Sequence, residues 1–230
     1  TGQRLVLPRS GWRGRVGAVK VALINGSPKA ADSASAVILK YLQPLLEQAG
    51  HEVVGFSFTK PQLGSEVAAG LSACDVLIFA LPLYVDGLPS HVASCLQELE
   101  KRRAELKTET RVYAVVNCGF HEGHHARWAL RMLRNWCARV GLRWGFGIGF
   151  GGGGALSAVS NIPLGAGPTK NLAQALRELV ENLTAHSERE DVFTSANIPR
   201  RWYKLAAEVG WLMAARANGV RLRDLSKGRG

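Results

Sequence analysis

Residues 117–125 read Asn-Cys-Gly-Phe-His-Glu-Gly-His-His, and within them His121-Glu122-Gly123-His124-His125 matches H-E-x-x-H. On an α-helix this spacing sets two imidazoles one turn apart on a zinc ion, with the glutamate as base. Three features weigh against that chemistry. Gly123 lies between the two histidines, where it costs a helix about 1 kcal/mol relative to alanine. No Asp or Glu occurs between Glu122 and Glu178, and only His186 follows His125, so no third ligand stands at the usual helical distance. The segment also follows an apolar run directly, which puts His121 and Glu122 on a loop or a first helical turn. There Glu122 meets a helix N-terminus favourably. The histidines therefore read as surface or pocket-rim groups, suited at most to aiding an acidic or quinoid substrate.

Two further stretches carry chemistry. Gly26-Ser27-Pro28-Lys29-Ala30-Ala31-Asp32-Ser33-Ala34-Ser35 joins an apolar run to a helical pattern. Free amides at a helix N-terminus, the hydroxyls of Ser27, Ser33 and Ser35, and the Lys29 ammonium suit a phosphate. The stretch is neither G-x-x-x-x-G-K-[ST] nor G-x-G-x-x-G, and Ser33 reads equally well as a plain N-cap. Pro82-Leu83-Tyr84-Val85-Asp86-Gly87-Leu88-Pro89 leaves a strongly apolar run where a chain ordinarily turns polar. It presents an apolar and aromatic shelf stiffened by two prolines. That shelf suits a flat heteroaromatic ring, or else is a rigid turn with Tyr84 packed locally.

The elements that must position these loops follow from periodicity. Lys20–Ile24, Glu52–Phe58, Asp75–Leu81 and Arg111–Asn117 read as strands, the third and fourth buried on both faces. In Arg143–Phe150, Trp144, Phe146, Ile148 and Phe150 alternate with Gly145, Gly147 and Gly149. This predicts a fifth strand with one bulky face and one bare face that lets something pack close. Helical spacing predicts helices from Ser33 to Ala49, with a kink or a lost hydrogen bond at Pro44. Others are predicted over Leu88–Lys107, Gly123–Val140 (Trp128, Met132 or Leu133, and Trp136 inward), Pro168–Ala185 and Ile198–Asn218. Residues 151–167 read as a Gly-rich loop. Alternating strands and helices imply an α/β parallel sheet covered on both faces. Ligands of such sheets lie beyond the carboxyl ends of the strands, where strand order reverses. The loops after strands one, three and four are thus one expected site.

Taken together, Gly-Ser-Pro-Lys with its trailing serines, Pro-Leu-Tyr-Val-Asp-Gly-Leu-Pro, and Asn-Cys-Gly-Phe-x-Glu resemble the flavodoxin-like NAD(P)H-dependent FMN reductase family in order and spacing, over roughly residues 18–150. The resemblance implies a flavodoxin-like, doubly wound five-stranded parallel sheet of order 2-1-3-4-5. It implies FMN held at its phosphate by Ser27, Lys29, Ser33, Ala34 and Ser35. Pro82, Leu83, Tyr84, Val85, Asp86 and Gly87 line the isoalloxazine, largely through backbone amides, and Asn117, Gly119 and Phe120 close its other edge. It also implies a homodimer. Lys29 departs from the Arg that many relatives carry, which forfeits a bidentate phosphate contact. The histidine-rich segment is a second departure.

Composition bounds the rest. The chain has 230 residues, 47% of them apolar, enough for one large domain with a core. No apolar run nears the roughly 20 residues of a membrane span. The start has neither an initiator Met nor an apolar leader run. Four widely spaced cysteines with no C-x-x-C pair read as reduced, half-buried thiols of a cytoplasmic protein. The net charge of +11 sits at the ends: residues 1–20 hold five Lys/Arg and no acid, and residues 200–230 hold eight against two acids. The expected organisation is a flexible basic extension over 1–17, an FMN-binding domain over 18–186 and a basic helical extension over 187–230. The expected function is an FMN-dependent oxidoreductase that takes hydride from NAD(P)H and passes electrons to a small-molecule or protein acceptor. No side chain stands out as a proton donor; His121 and Tyr84 are the nearest candidates. Two alternatives stay open. One is a non-enzymatic electron carrier of flavodoxin type. The other is a flavodoxin-like binding module that meets an anionic surface through its basic C-terminal helix. The helix's apolar stripe (Trp202, Leu205, Val209, Leu212, Met213) otherwise reads as packing against the parent domain.

Overall fold

The computed structural model describes residues 17–29, 33–158, 161–187 and 189–220. The basic segment 1–16, Ala30–Asp32 of the first loop and the basic residues 221–230 lie outside the described residues.

Six strands form one sheet: β1 (Lys20–Asn25), β2 (Glu52–Ser57), β3 (Val76–Pro82), β4 (Arg111–Cys118), β5 (Arg143–Gly151) and β6 (Val192–Ser195). Their order is β2-β1-β3-β4-β5-β6, and every adjacent pair is parallel. The expected order 2-1-3-4-5 is present and continues with a sixth strand, so the sheet has six strands rather than five. β6 falls within the segment read from sequence as an extension. It is only four residues long, and none of its residues is fully buried, so it carries no strong apolar signal.

Seven α-helices are found among the described residues: α1 (Ala34–Gln48), α2 (Ser65–Ser72), α3 (Ser90–Lys101), α4 (Arg127–Val140), α5 (Gly153–Ala158), α6 (Lys170–Ala185) and α7 (Arg200–Ala217). Alternate residues of each strand face opposite sides, which divides the core in two. Ala22, Ile24, Leu77, Phe79, Leu81, Val112, Ala114 and Val116 pack with α2, α3 and α4. Val21, Leu23, Ile78, Ala80, Tyr113, Val115, Phe146, Ile148 and Phe150 pack with α1, α5 and α6. Both faces are covered, which is why β3 and β4 are continuously apolar rather than alternating.

Several elements depart from the sequence expectation for identifiable reasons. In β5, Val112 pairs with Trp144 but Ala114 pairs with Gly147, so two residues oppose one. This β-bulge turns Trp144 to the opposite face from Phe146, Ile148 and Phe150. Asp191 holds the bulge, accepting from Gly147 N–H at 2.7 Å and Trp144 Nε1 at 3.2 Å. On α4 the inward residues are Ala129, Leu130, Leu133, Trp136, Cys137 and Val140, whereas Trp128 and Met132 are exposed. Trp128 instead lies under the guanidinium groups of Arg127 and Arg131. The Gly-rich loop contains α5, anchored by the fully buried Leu156. The eight-residue α2 is too short to show a helical period. α1 runs through Pro44 as one helix. Pro44 cannot donate to Lys40 O, and both residues are exposed, so water can serve that carbonyl.

Candidate functional site

The carboxyl ends of β1, β3 and β4 meet where β2 and β3 depart to opposite sides of β1. The three loops identified from sequence converge there, and Asn117 ties them together. At the end of β4 and 6% exposed, its Nδ2 donates to Ser35 Oγ in the first turn of α1 and to Leu81 O at the end of β3, both at 2.9 Å. Its carbonyl accepts from Leu83 N–H at 2.8 Å.

The first loop begins tightly. Gly26 N–H donates to Ala80 O at 2.9 Å, and its carbonyl accepts from His91 Nε2 at 3.1 Å. A Cβ on Gly26 would overlap the Leu81 side chain. Ser27 is buried; its amide donates to Asn25 Oδ1 and its hydroxyl accepts from Lys29 N–H. Ser33 is the N-cap of α1, accepting from Ala36 N–H at 3.1 Å. The Lys29 side chain is exposed. Ala34 and Ser35 open the helix, where the first amides have no intrahelical acceptor.

The second loop is a two-residue turn. Tyr84 and Gly87 exchange both backbone hydrogen bonds, at 3.1 and 3.0 Å. Between them Val85 and Asp86 both have positive φ, 47° and 58°. A β-branched residue in this region is strained, and such strain clusters at ligand clamps. Pro82 and Leu83 are half-buried beneath the turn; Tyr84 is 46% exposed and Val85 fully exposed.

The third loop is bound to the C-terminal segment. Tyr203 hydroxyl donates to Gly119 O at 2.7 Å, His121 Nε2 donates to Ile198 O at 3.0 Å, and Arg200 pairs with Glu122 at 2.7 Å. Burial raises the Tyr203 pKa, so it remains a donor. The Glu122 carboxyl is held below its usual range, chiefly by its own backbone amide and further by Arg200. Burial pushes the neighbouring Cys118 thiol up. Phe120 is 56% exposed and lies 4.5 Å from the His125 ring.

The bare face of β5 explains this loop's path. A Cβ on Gly151 would overlap His121 O, and one on Gly123 would overlap the carbonyls of Thr194 and Gly149. Residues 121–123 therefore lie directly against β5 and β6. Gly123–Ala126 forms a 3-10 turn before α4 begins. His121 precedes that turn, so the α-helical spacing that H-E-x-x-H requires is not formed, and its imidazole and the carboxylate of Glu122 are engaged with Ile198 and Arg200.

No protein-family model matches the chain, and no curated protein matches it significantly. Solved structures do match. An NAD(P)H:quinone oxidoreductase from Methanothermobacter marburgensis aligns with 75% of this chain and all of its own, at TM-score 0.53 and 15% identity. A WrbA-like flavodoxin from Agrobacterium tumefaciens covers 74% of this chain and 99% of its own, at TM-score 0.52 and 15% identity. The fold is flavodoxin-like. A Klebsiella pneumoniae protein named as a putative quinone reductase is similar over 72% of this chain and 85% of its own, at TM-score 0.51 and 16% identity. At these identities the likeness extends to the flavodoxin-like architecture and not to individual residues.

Sequence reasoning missed the clamp on the third loop. Tyr203 gives no signal because it lies off the apolar stripe of its helix, and Arg200 none because it sits in a general excess of basic residues. His91 is the second residue of α3 and carries no spacing signal at all.

Proposed function

We propose that the chain is an FMN-dependent oxidoreductase that takes hydride from NAD(P)H and delivers electrons to a small acceptor. The observation that carries this reading is the Asn117 tie, which joins the first turn of α1, the start of the Pro82–Gly87 loop and the loop after β4 at one end of the sheet. The chemistry of these groups fits FMN. The opening amides of α1, with Ser27, Ser33, Ser35 and Lys29 close in sequence, suit a phosphate dianion. The strained turn keeps two amides out of sheet pairing, and amides of this kind suit the polar rim of an isoalloxazine. Tyr84 and Phe120 offer apolar surface on either side.

When bound, FMN supplies the hydride and electron transfer. The chain's part is to bind, orient and exclude water. Ser33, Ala34 and Ser35 hold the phosphate end, with Lys29 adding a point charge. Pro82, Leu83 and the Tyr84–Gly87 turn hold the ring edge at fixed height, and Asn117 keeps that turn in register with α1. Gly119 and Phe120 close the far edge, braced by Tyr203. Similar structures bearing quinone reductase names support an acceptor of the quinone class. The exposed Tyr84, Phe120, Trp128 and Met132 would be covered in the homodimer that is part of this proposal. No helix among the described residues is long and apolar enough to cross a membrane.

The test is steady-state oxidation of NADPH and NADH by FMN-loaded protein with a soluble quinone. Turnover that depends on both FMN and acceptor supports the reading. FMN binding without nicotinamide oxidation would instead favour an electron carrier.

A further inference from the structure

The feature that the proposed chemistry leaves unused is α7. It has 18 residues, about 27 Å at 1.5 Å per residue, and none of them is buried. Among the described residues, the side-chain bonds that attach it lie in its first turn: the Arg200–Glu122 pair and the Tyr203–Gly119 hydrogen bond. Trp202, Leu205, Val209, Leu212 and Met213 fall within an arc of about 100° on one side. All five are exposed, from 43% for Leu212 to 67% for Met213. The expectation that this stripe packs against its own domain is therefore not met. A helix of this length draws most of its stability from covering such a face.

Charge decides between possible covers. Arg201 borders the stripe and Arg216 ends it; Lys204 lies on the far side of the helix, near Trp211, and stands 3.7 Å from Glu208, the one acid of the helix. Residues 221–230 add Arg221, Arg223, Lys227 and Arg229 against Asp224. Two α7 helices face to face would oppose basic residues with almost no acid to pair them. A nucleic acid would engage the charges but leave five large apolar side chains in water. An anionic lipid surface satisfies both, since apolar side chains enter the headgroup–acyl boundary while Lys and Arg stay at the phosphates. Arg216, within the arc at its last turn, can reach outward along its aliphatic stem. Trp211 lies on the other side of the helix and takes no part.

We propose that α7 is an interfacial helix that docks the protein on membranes containing anionic phospholipid. This does not depend on the flavin reading, because the stripe shares no residue with the three loops. The experiment is co-sedimentation of the full chain with vesicles of phosphatidylcholine alone and of phosphatidylcholine with phosphatidylglycerol, at low and high salt. The chain should sediment with the anionic vesicles, at least about tenfold more strongly than with neutral ones, and less as salt rises. The double variant Leu205→Asp/Leu212→Asp should lose about tenfold or more of this binding, as should Arg201→Glu/Arg216→Glu. All four side chains are exposed, so far-UV circular dichroism and thermal unfolding should not change. The proposal is overturned if anionic vesicles fail to sediment the chain, or if the leucine variant sediments like the parent. It is also overturned if that variant converts a dimer to a monomer, which would make a second copy the cover. Salt-dependent binding to single-stranded RNA that survives the leucine changes, in place of vesicle binding, would likewise overturn it.

Discussion

Replacing Asn117 by alanine probes the junction of the three loops directly. The side chain gives two hydrogen bonds from one amide nitrogen, to Ser35 Oγ and Leu81 O, in a setting where Ser35 and Leu81 are essentially without solvent. Each such bond contributes about 1 kcal/mol net, and a buried acceptor left without a donor costs about 1–3 kcal/mol. Asn117→Ala should therefore destabilise the apoprotein by about 2–4 kcal/mol. Ser35→Ala removes one bond and should cost about 1 kcal/mol. Because the two residues share that bond, the double variant should be more stable than the sum of the singles implies, by about 1 kcal/mol. Urea unfolding followed by far-UV circular dichroism measures all three, with FMN omitted so that ligand linkage does not enter. A loss below about 0.5 kcal/mol for Asn117→Ala, or strict additivity, would refute the claim that this residue fastens α1 to the ends of β3 and β4.

Three further outcomes are expected. Gly123→Ala should destabilise the protein by about 2–3 kcal/mol, because the new methyl meets the carbonyls of Thr194 and Gly149 and neither can move aside; Gly55→Ala, inside β2 where nothing lies within 4 Å, should instead stabilise by about 0.5–1 kcal/mol. Val85→Asn should stabilise the apoprotein by about 1 kcal/mol, since Asn tolerates positive φ and the exposed valine side chain packs on nothing. His51 accepts from Val19 N–H at Nδ1 and faces Thr184 Oγ1 with Nε2, and burial lowers its pKa from the ordinary 6.5. Between the lowered and the ordinary value the unfolded chain binds more protons, so stability should rise with pH across that window and fall as the medium is acidified. Urea midpoints at about pH 5.5 and about pH 7.5 should differ less in His51→Gln than in the parent protein.

The sheet was legible from sequence where burial on both faces writes a continuous apolar run, as in β3 and β4. The order of β1, β3 and β4 along the chain, each followed by a loop and a helix, was enough to bring the three loops together. Alternation failed in β5, because the pairing shift at Gly145-Phe146 is stabilised by Asp191, more than forty residues away. The bare glycine face was read as an approach surface, but what approaches it, the His121–Gly123 backbone, is visible only in three dimensions. The zinc-like spacing shows the opposite hazard: the motif is in the sequence, while the fold spends His121 and Glu122 on fastening the C-terminal segment. The stripe on α7 was seen at its correct spacing, yet periodicity reports only that a face is apolar and not what covers it.

A flavin site at the ends of β1, β3 and β4 is open to titration of FMN with the purified chain, followed by flavin fluorescence and visible absorbance. Saturable quenching at one FMN per chain is expected, weakened by Asn117→Ala and unaffected by Leu205→Asp/Leu212→Asp. A folded chain that leaves FMN fluorescence unchanged at excess protein would contradict it.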